Sequence, residues 1–250
     1  MKAASRAELF AAAEGAAAVL CDWDGCLAID NRLQPGVADF LRQARRIAII
    51  SNNSTMNRDA CRRRLATEGV HVPPENIHLA GQALLTHAMA RFADRPVHLL
   101  ANPLMCRHAR SIGLNLVEDG ADAVLVLRDP RFDYARLTCA AHEIRNGARF
   151  WIANPDLQHP SQGRAVPETG ALSCAISAVA GRGPDRVIGK PGPLLFEEAL
   201  ASLQLDPGEV IMIGDNPATD IAGATAANIR SMLVSEETWH QRPGQRPLRY

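Results

Sequence analysis

The chain alternates short apolar runs with longer amphipathic stretches, and this alternation constrains its fold more than any other feature. The apolar runs are bounded by Gly, Pro, Asn or Asp, as the buried strands of a parallel sheet are. Helical stripes are predicted between them, for example over 35–46 and 193–205. The pattern predicts a doubly wound α/β fold, in which helices cover a central parallel sheet. The predicted strands occupy residues 17–21, 47–51, 97–101, 123–127, 149–153, 187–188, 210–213 and 231–234.

Polar residues follow these strands unevenly, which bears on domain organisation. They cluster after the strands within 17–51 and 187–234, at the ends where open α/β sheets hold their ligands. A chain of 250 residues fits either one large domain or a core with an inserted one. We expect the second arrangement, a core formed by residues 1–81 and 179–250 and interrupted by a smaller α/β domain at 82–178.

Charge and cysteine content exclude several classes of partner. The chain has 27 basic and 27 acidic residues, so no overall field favours nucleic acid or an anionic membrane surface. Glu8 and Glu14 interrupt the Ala-rich start, which argues against a signal peptide. No window reaches the ~18 uncharged apolar residues that a membrane-spanning helix requires. The six cysteines form no CxxC pair and are typical of a reducing compartment, so we expect a cytoplasmic protein.

The segment VLCDWDGCLAID, residues 19–30, carries the first candidate site. Asp22 and Asp24 directly follow an apolar run, and their spacing puts both side chains on one side of an extended segment. Two carboxylates this close repel each other unless a cation, a proton or a hydrogen-bond network lies between them. A polar turn that closes a buried strand is an equally good interpretation of this motif alone.

Two further strand ends carry residues suited to phosphate. In AIISNNST, the residues Ser51, Asn52 and Asn53 offer hydroxyl and backbone N–H donors for phosphate oxygens, or simply a helix N-cap and loop. In IGKPGP, Lys190 is one of only two lysines in the chain. It would neutralise an acyl phosphate or a carboxylate pair as a compact charge, although an exposed surface lysine is the commoner explanation.

The fourth strand end, VIMIGDNPATDIAG at residues 210–223, adds a third carboxylate. Asp215 follows a strongly apolar strand, and Asp220 lies five residues later, where it also suits a helix cap. Mg²⁺ prefers carboxylate oxygens, so Asp215 facing Asp22 and Asp24 would complete a magnesium site with open positions. Each signal is weak alone, but four such strand ends in one chain argue for a shared site.

The ordered motifs DWDG, SNN, GKP and GDNPATD resemble the four motifs of the haloacid dehalogenase superfamily of phosphatases. The SNNS form, the NPD at 154–156 and the segment ETGALSCAISAVAGRGPDRVIGKPGPLLFEEAL resemble the NagD-like and p-nitrophenyl phosphatase branch more narrowly. The resemblance implies a Rossmann-like core with an inserted α/β cap that selects the leaving group. It also implies a Mg²⁺-dependent phosphatase for a small metabolite such as a sugar phosphate, glycerol phosphate or nucleotide. The cap of such a protein can pair two copies into a homodimer.

The resemblance also implies roles for the motif residues. Asp22 would attack phosphorus and form an aspartyl-phosphate, while Asp24 would act as general acid and then as general base. Mg²⁺ would be held by Asp22, by the backbone carbonyl of Asp24 and by Asp215, with Asn216 and Asp220 orienting the metal waters. The phosphoryl group would be bound by Ser51, Asn52, Asn53 and Lys190.

The stretch NPDLQHP, read as a loop after a strand, is expected to form part of the substrate-facing surface. Asn154 is the predicted substrate-binding residue, with Asp156 and His159 as polar neighbours, and a solvated turn is the alternative. The chain departs from the family pattern at Cys26, where a threonine is usual, and in the cap, where VLRDPRFDY replaces GLDRxFTY. Cys26 is assigned no redox role.

Three other functions compete with a phosphatase. A phosphoacceptor signalling protein also combines aspartates, a Ser or Thr and a lysine on a parallel sheet. A dehalogenase or a phosphomutase would share the superfamily fold. The second aspartate, Asp24, favours hydrolysis, because it supplies the acid and base needed for turnover. A signalling protein also has no use for an insert of nearly 100 residues.

Overall fold

A computed structural model describes residues 2–161 and 164–240 of the protein. The helices are α1 (Arg6–Glu14), α2 (Val37–Gln43), α3 (Arg58–Thr67), α4 (Ala80–Phe92), α5 (Pro103–Ser111), α6 (Tyr134–Arg145), α7 (Thr169–Ala180), α8 (Leu194–Leu203), α9 (Ala222–Ala226) and α10 (Glu236–His240). The strands are β1 (Ala18–Cys21), β2 (Ala28–Ile29), β3 (Arg32–Leu33), β4 (Ile47–Ser51), β5 (Ile77–Leu79), β6 (Val97–Leu100), β7 (Ala123–Val126), β8 (Arg149–Ile152), β9 (Gln158–Ser161), β10 (Arg164–Pro167), β11 (Arg186–Val187), β12 (Val210–Gly214) and β13 (Arg230–Leu233).

The chain folds into two compact units. The second unit extends beyond the insert predicted at 82–178, because β11 pairs with β8 and keeps the chain in that unit as far as Gly189. It also includes the short segment that directly follows β4. Unit 1 comprises the chain up to Ser51, Arg58–His78 and the chain from Lys190 onward, and unit 2 comprises Asn52–Asn57 and Leu79–Gly189.

Unit 1 is built on a five-stranded sheet in the order β13-β12-β1-β4-β5. β1 lies at its centre and pairs in parallel with β12 and β4, with Leu20 opposite both Met212 and Ala48. Every residue of β1 is buried, as expected for a strand that is covered on both faces. The predicted α/β fold with a central parallel sheet is therefore confirmed.

The unit 1 core explains the apolar stripe predicted for 193–205. Phe196, Ala199 and Leu203 of α8 recur at helical spacing and pack against the sheet residues Leu20 and Met212. The helix ends at Leu203, because Gln204 adopts a left-handed conformation with a φ of 53°.

Unit 2 has its own four-stranded sheet, in the order β11-β8-β7-β6, with parallel pairing throughout. Its core joins Val124 and Phe150 of the sheet to Ile144 of α6 and Ile176 of α7. A separate antiparallel hairpin is formed by β9 and β10. Unit 2 is therefore an α/β body with a hydrophobic core of its own.

Local structure differs from the sequence predictions at several elements. The strands at 47–51 and 210–213 were predicted closely, whereas β5 and the hairpins β2-β3 and β9-β10 are too short or too polar to show a strand pattern. The helix predicted over 35–46 ends earlier, at Gln43, because Ala44 is extended. The Ala-rich start forms α1, which Ser5 and Glu8 begin with a capping box.

None of the described helices is both long and apolar enough to cross a membrane.

Truncation of Phe196 tests the unit 1 core. The side chain is fully buried, and Phe196→Ala should lower the free energy of unfolding by about 3–5 kcal/mol through lost apolar contacts and a cavity. Urea unfolding followed by circular dichroism measures this loss. Ile29→Ala removes a side chain that is 40% exposed and should change stability by about 0.5 kcal/mol or less. Equal stability of the two variants would contradict this packing.

Candidate active site

Three polar side chains gather at the carboxyl edge of the unit 1 sheet. Asp22 follows β1, Ser51 ends β4 and Asp215 follows β12, and these three strands are adjacent and parallel. The carboxyl ends of parallel strands meet at one edge, which is where open α/β sheets bind ligands. The structure thus brings together three of the strand ends that the sequence singled out.

Lys190 is the buried cation of this cluster. Its side chain is 1% exposed, and Nζ donates to Asp22 Oδ1 at 2.6 Å, to Asp220 Oδ1 at 2.6 Å and to the Ile50 carbonyl at 2.9 Å. An ammonium has three hydrogens, so these acceptors satisfy it fully. Burial opposes its charge, but Asp22 and Asp220 outweigh burial and raise the pKa of Lys190 above its ordinary value. The alternative of an exposed surface lysine is wrong.

Asp220 has both carboxylate oxygens occupied by the protein. Oδ1 accepts from Lys190, and Oδ2 accepts from the backbone N–H of Asn216 at 3.0 Å. A π-helical turn at Pro217–Ile221 carries the residue into the core, where it is completely buried. A Cβ at Gly214 would overlap the Asp220 carboxyl group, so the absence of a side chain there allows this close approach.

Asp215 has an oxygen that is left without a hydrogen bond. Asp215 Oδ1 is buried and has no hydrogen-bond partner. The carboxylates of Asp22 and Asp220 lie close to the Asp215 carboxyl group. Burial and the charge of Asp220 raise the pKa of Asp215 to about 6, against the opposing charge of Lys190. Burial, together with Asp220 and Asp215, likewise raises the pKa of Asp22 well above its ordinary value.

These groups fit a divalent cation. Carboxylate oxygens of Asp22, Asp215 and Asp220 all lie within 4.8 Å of one another. With all groups ionised, three carboxylates and the one ammonium of Lys190 carry a net charge of −2 (3 negative, 1 positive). A hard cation with oxygen ligands would neutralise that charge and partner the orphaned Asp215 oxygen.

Asp24 differs from Asp22 in its environment. β1 ends at Cys21, so the two aspartates lie in a turn rather than on an extended strand, and Asp24 is exposed while Asp22 is buried. Trp23 between them is completely buried. Gly25 has a φ of 83°, and a Cβ there would overlap the Asp215 carboxyl group. The glycine therefore serves both the turn and the approach of Asp215.

Gln34 is a residue that the sequence analysis missed. It is 5% exposed, and its Nε2 donates to the carbonyls of Gly25 at 3.2 Å and Cys26 at 2.7 Å, which fixes the turn that carries Asp24. It lies between β3 and α2, away from any strand end, so no motif pointed to it. Cys26 itself is buried, and burial with the charge of Asp22 raises the pKa of its thiol well above the ordinary value. Burial and a raised pKa disfavour the reactive thiolate form of Cys26.

Three predicted contact residues lie in unit 2 and have protein partners. Asn53 Oδ1 accepts from the backbone N–H of Thr55 at 2.9 Å and of Met56 at 3.1 Å, which is the turn that was the alternative for this segment. Asn52 donates through Nδ2 to Asp156 Oδ2 at 2.9 Å. Asn154 is 1% exposed and donates to the Asn52 carbonyl at 2.6 Å.

The geometry adds two details on the NPDLQHP stretch. The Asn154 amide is buried and donates to the Asn52 carbonyl, so this side chain holds the segment after β4. His159 belongs to β9 rather than to a loop, and its ring faces Arg128 Nη1 at 3.3 Å and Glu168 Oε1 at 2.8 Å. The hairpin has few apolar residues, which is why its strands were not predicted.

Comparisons with known proteins agree with this geometry. Residues 16–228 match the family of haloacid dehalogenase-like hydrolases. The chain is 29% identical to the ribonucleotide monophosphatase NagD of Escherichia coli K12 over 221 residues, 86% of each chain. It is 27% identical to a dihydroxyacetone phosphatase of Corynebacterium glutamicum, over 86% of this chain and 79% of that one.

A solved structure resembles the chain to a similar degree. The glycerol phosphate phosphatase of Mycobacterium tuberculosis in complex with magnesium superposes with a TM-score of 0.79 at 26% identity. That comparison covers 93% of this chain and 70% of the other. With its buried lysine between aspartates and its NagD-like relatives, the chain belongs to the haloacid dehalogenase-like hydrolase family and is a hydrolase of phosphomonoesters.

Proposed function

We propose that this protein is a Mg²⁺-dependent phosphatase that hydrolyses a small phosphorylated metabolite through an aspartyl-phosphate on Asp22. The observation that carries the proposal is the buried Lys190 bridge between Asp22 and Asp220, beside an Asp215 oxygen that lacks a partner. Such a cluster supports phosphoryl transfer, because that reaction requires concentrated positive charge beside a nucleophile.

Asp22, Asp215 and the backbone carbonyl of Asp24 would hold the Mg²⁺ ion. When bound, the ion would offset the negative charge of these carboxylates and of the phosphate dianion. Asp220 is proposed to orient metal-bound waters together with Asn216. Each Asp220 oxygen already accepts one protein hydrogen bond, from Lys190 and from the Asn216 N–H, which favours a place behind the ion over direct contact with it.

Asp22 is the proposed nucleophile. A carboxylate oxygen of Asp22 forms a bond to phosphorus while the bond from phosphorus to the leaving oxygen breaks, which yields an aspartyl-phosphate and an alcohol. The Lys190 ammonium at 2.6 Å fixes the orientation of the Asp22 carboxylate before attack. It also offsets the repulsion between that carboxylate and an incoming phosphate.

Asp24 is the proposed proton carrier. Its carboxyl group gives a proton to the leaving oxygen as the first bond breaks. The resulting carboxylate then takes a proton from water, whose oxygen attacks phosphorus and releases inorganic phosphate and a free Asp22 carboxylate. The exposed position of Asp24 supports this role, because both the leaving oxygen and the attacking water can reach its carboxyl group.

Ser51 and the backbone N–H of Asn52 are proposed to bind the phosphoryl oxygens. Ser51 ends the strand next to β1 and is 1% exposed, so its hydroxyl is held in a fixed place. Donors aimed at the equatorial oxygens stabilise the charge that spreads over them in the transition state. The Asn53 side chain is left out of this set because its oxygen already accepts turn hydrogen bonds.

The substrate is proposed to be a small phosphorylated metabolite whose leaving group is selected by unit 2. The named relatives act on a ribonucleotide, dihydroxyacetone phosphate and glycerol phosphate, so phosphate transfer is shared while the leaving group varies. All named relatives are phosphatases, which favours this function over a dehalogenase, a phosphomutase or a phosphoacceptor. The six free thiols support the proposed reducing, cytoplasmic location.

Removal of the nucleophile gives the first test of this function. Asp22→Asn should lower kcat for 4-nitrophenyl phosphate with Mg²⁺ by ~10³-fold or more, because an amide does not attack phosphorus. Asp30→Asn, the same change on an exposed residue of the turn between β2 and β3, should keep wild-type kcat. Comparable turnover by both variants would remove Asp22 from the mechanism.

Removal of the proton carrier should separate the two steps. Asp24→Asn should still be phosphorylated by 4-nitrophenyl phosphate, whose leaving group needs little protonation, but should hydrolyse the aspartyl-phosphate slowly. Intact mass spectrometry after rapid acid quench would then detect one added phosphoryl group. With an alkyl phosphate, the same variant should lose about 10²–10⁴-fold in rate even for phosphorylation. A wild-type steady-state rate would contradict the assignment.

Removal of the buried cation should expose the repulsion between the carboxylates. Lys190→Met should destabilise the protein by about 3–5 kcal/mol in the absence of metal. The substitution removes the ammonium and leaves Asp22 and Asp220 buried without their counter-charge. Mg²⁺ should raise the melting temperature of this variant more than that of the wild type. Lys2→Met, at an exposed position, is the control and should behave as wild type. An unchanged melting temperature for Lys190→Met would show that the bridge contributes nothing to stability.

A further inference from the structure

The segment Asn52–Asn57 belongs to unit 2, although it directly follows the last residue of β4 in unit 1. Two side chains of the NPD sequence hold its first residue. Asn154 Nδ2 donates to the Asn52 carbonyl at 2.6 Å, and Asp156 Oδ2 accepts from Asn52 Nδ2 at 2.9 Å. Asn52 is therefore fastened to unit 2 through both its main chain and its side chain.

The NPD turn is itself fixed before it meets Asn52. The Asp156 N–H donates to Asn154 Oδ1 at 3.1 Å, and the Asp156 carbonyl accepts from the Gly170 N–H at 2.8 Å. A Cβ at Gly170 would overlap the Pro155 carbonyl, so α7 approaches the turn this closely only because position 170 lacks a side chain. The backbone of Asp156 is thus held by hydrogen bonds at both its N–H and its carbonyl, which fixes the position of its carboxylate.

A second layer holds the residues after Asn52. Ser54 Oγ lies 3.1 Å from Thr169 Oγ1 and accepts from the Arg128 N–H at 3.0 Å, and Thr169 is completely buried. On the other side, a Cβ at Gly189 would overlap the Asn52 side-chain oxygen. The Asn52 side-chain amide is therefore contacted at its nitrogen by Asp156 and at its oxygen by Gly189.

We propose that Asp156 is a positioning residue for phosphoryl transfer, acting through Asn52. The inference rests on the proposed function, in which the Asn52 N–H binds a phosphoryl oxygen. Asn154 holds the main-chain carbonyl of Asn52, and Asp156 holds its side-chain amide. Together they fix the Asn52 backbone and the direction of its N–H before the substrate arrives. A carboxylate acceptor makes this hydrogen bond stronger than a neutral acceptor would.

This role differs from that of a residue that contacts the leaving group. If the Asn52 N–H is misaligned, its hydrogen bond stabilises the transition state less. The loss should be similar for every phosphate ester, because all of them share the phosphoryl group. A leaving-group contact would matter for some esters and not for others. The dependence on leaving group therefore separates the two roles.

The experiment compares Asp156→Ala with wild type on 4-nitrophenyl phosphate and on an alkyl phosphate. We expect kcat/KM to fall by about 10–100-fold for both substrates, since a misplacement of about 1 Å costs that much. Asp156→Asn, whose amide oxygen can still accept from Asn52, should restore the rate to within about 10-fold of wild type. Asp94→Ala, the same change at an exposed position of unit 2, should leave kcat/KM unchanged.

Asn52→Ala breaks the same hydrogen bond from the other side while keeping the backbone N–H. It should reproduce the loss seen in Asp156→Ala, and the double variant should lose no more than either single one. If Asp156→Ala does not fold, Asn52→Ala alone still tests the proposal. Wild-type kcat/KM in Asn52→Ala, a loss confined to one leaving group, or additive losses would each overturn it.

The two proposals fail in different ways. A wild-type protein that hydrolyses no phosphomonoester would remove the proposed function. A wild-type protein that is active, with variants at position 156 as active as wild type, would remove only the positioning role.

Discussion

The bridge from Lys190 to Asp22 and Asp220 is the interaction on which the arrangement of unit 1 depends. A buried ammonium is tolerable only with all of its hydrogens donated, and its third acceptor is the Ile50 carbonyl of β4. The residues concerned come from the ends of β1 and β4, from the turn after β12 and from the chain that re-enters unit 1. One side chain thereby joins segments that are far apart in sequence.

That bridge does not balance the charge around it. Burial, together with the crowding of three carboxylates around one ammonium, raises the pKa values of Asp22 and Asp215, and one Asp215 oxygen lacks a hydrogen-bond partner. The protein therefore folds with an electrostatic cost at its site, as sites for cations and phosphate commonly do. The net negative charge of these groups would only destabilise a structural core. At this site it would favour the binding of a divalent cation.

The sequence predicts the site better than its surroundings. Asp22, Ser51 and Asp215 could be found because each lies at the end of a buried strand, and the geometry of parallel sheets brings strand ends together. Lys190 was marked by its rarity instead, because the strand before it, β11, belongs to the sheet of unit 2. Gln34 could not be found, because it reaches the turn by a contact between segments that no local pattern marks. The contacts of Asn53 and Asn154 could not be predicted either. Their side chains hold a turn and a backbone carbonyl, roles that the motif alone does not distinguish from ligand binding.

Two glycines leave the space that the aspartates of the site occupy. Neither Gly25 nor Gly214 offers a functional group, yet a single methyl group at either position would occupy the space of an aspartate carboxyl group. In a saturation library of this chain, both positions would tolerate substitution as poorly as the acids beside them. The tolerance map of such an enzyme would therefore outline the site partly through residues that take no part in its chemistry.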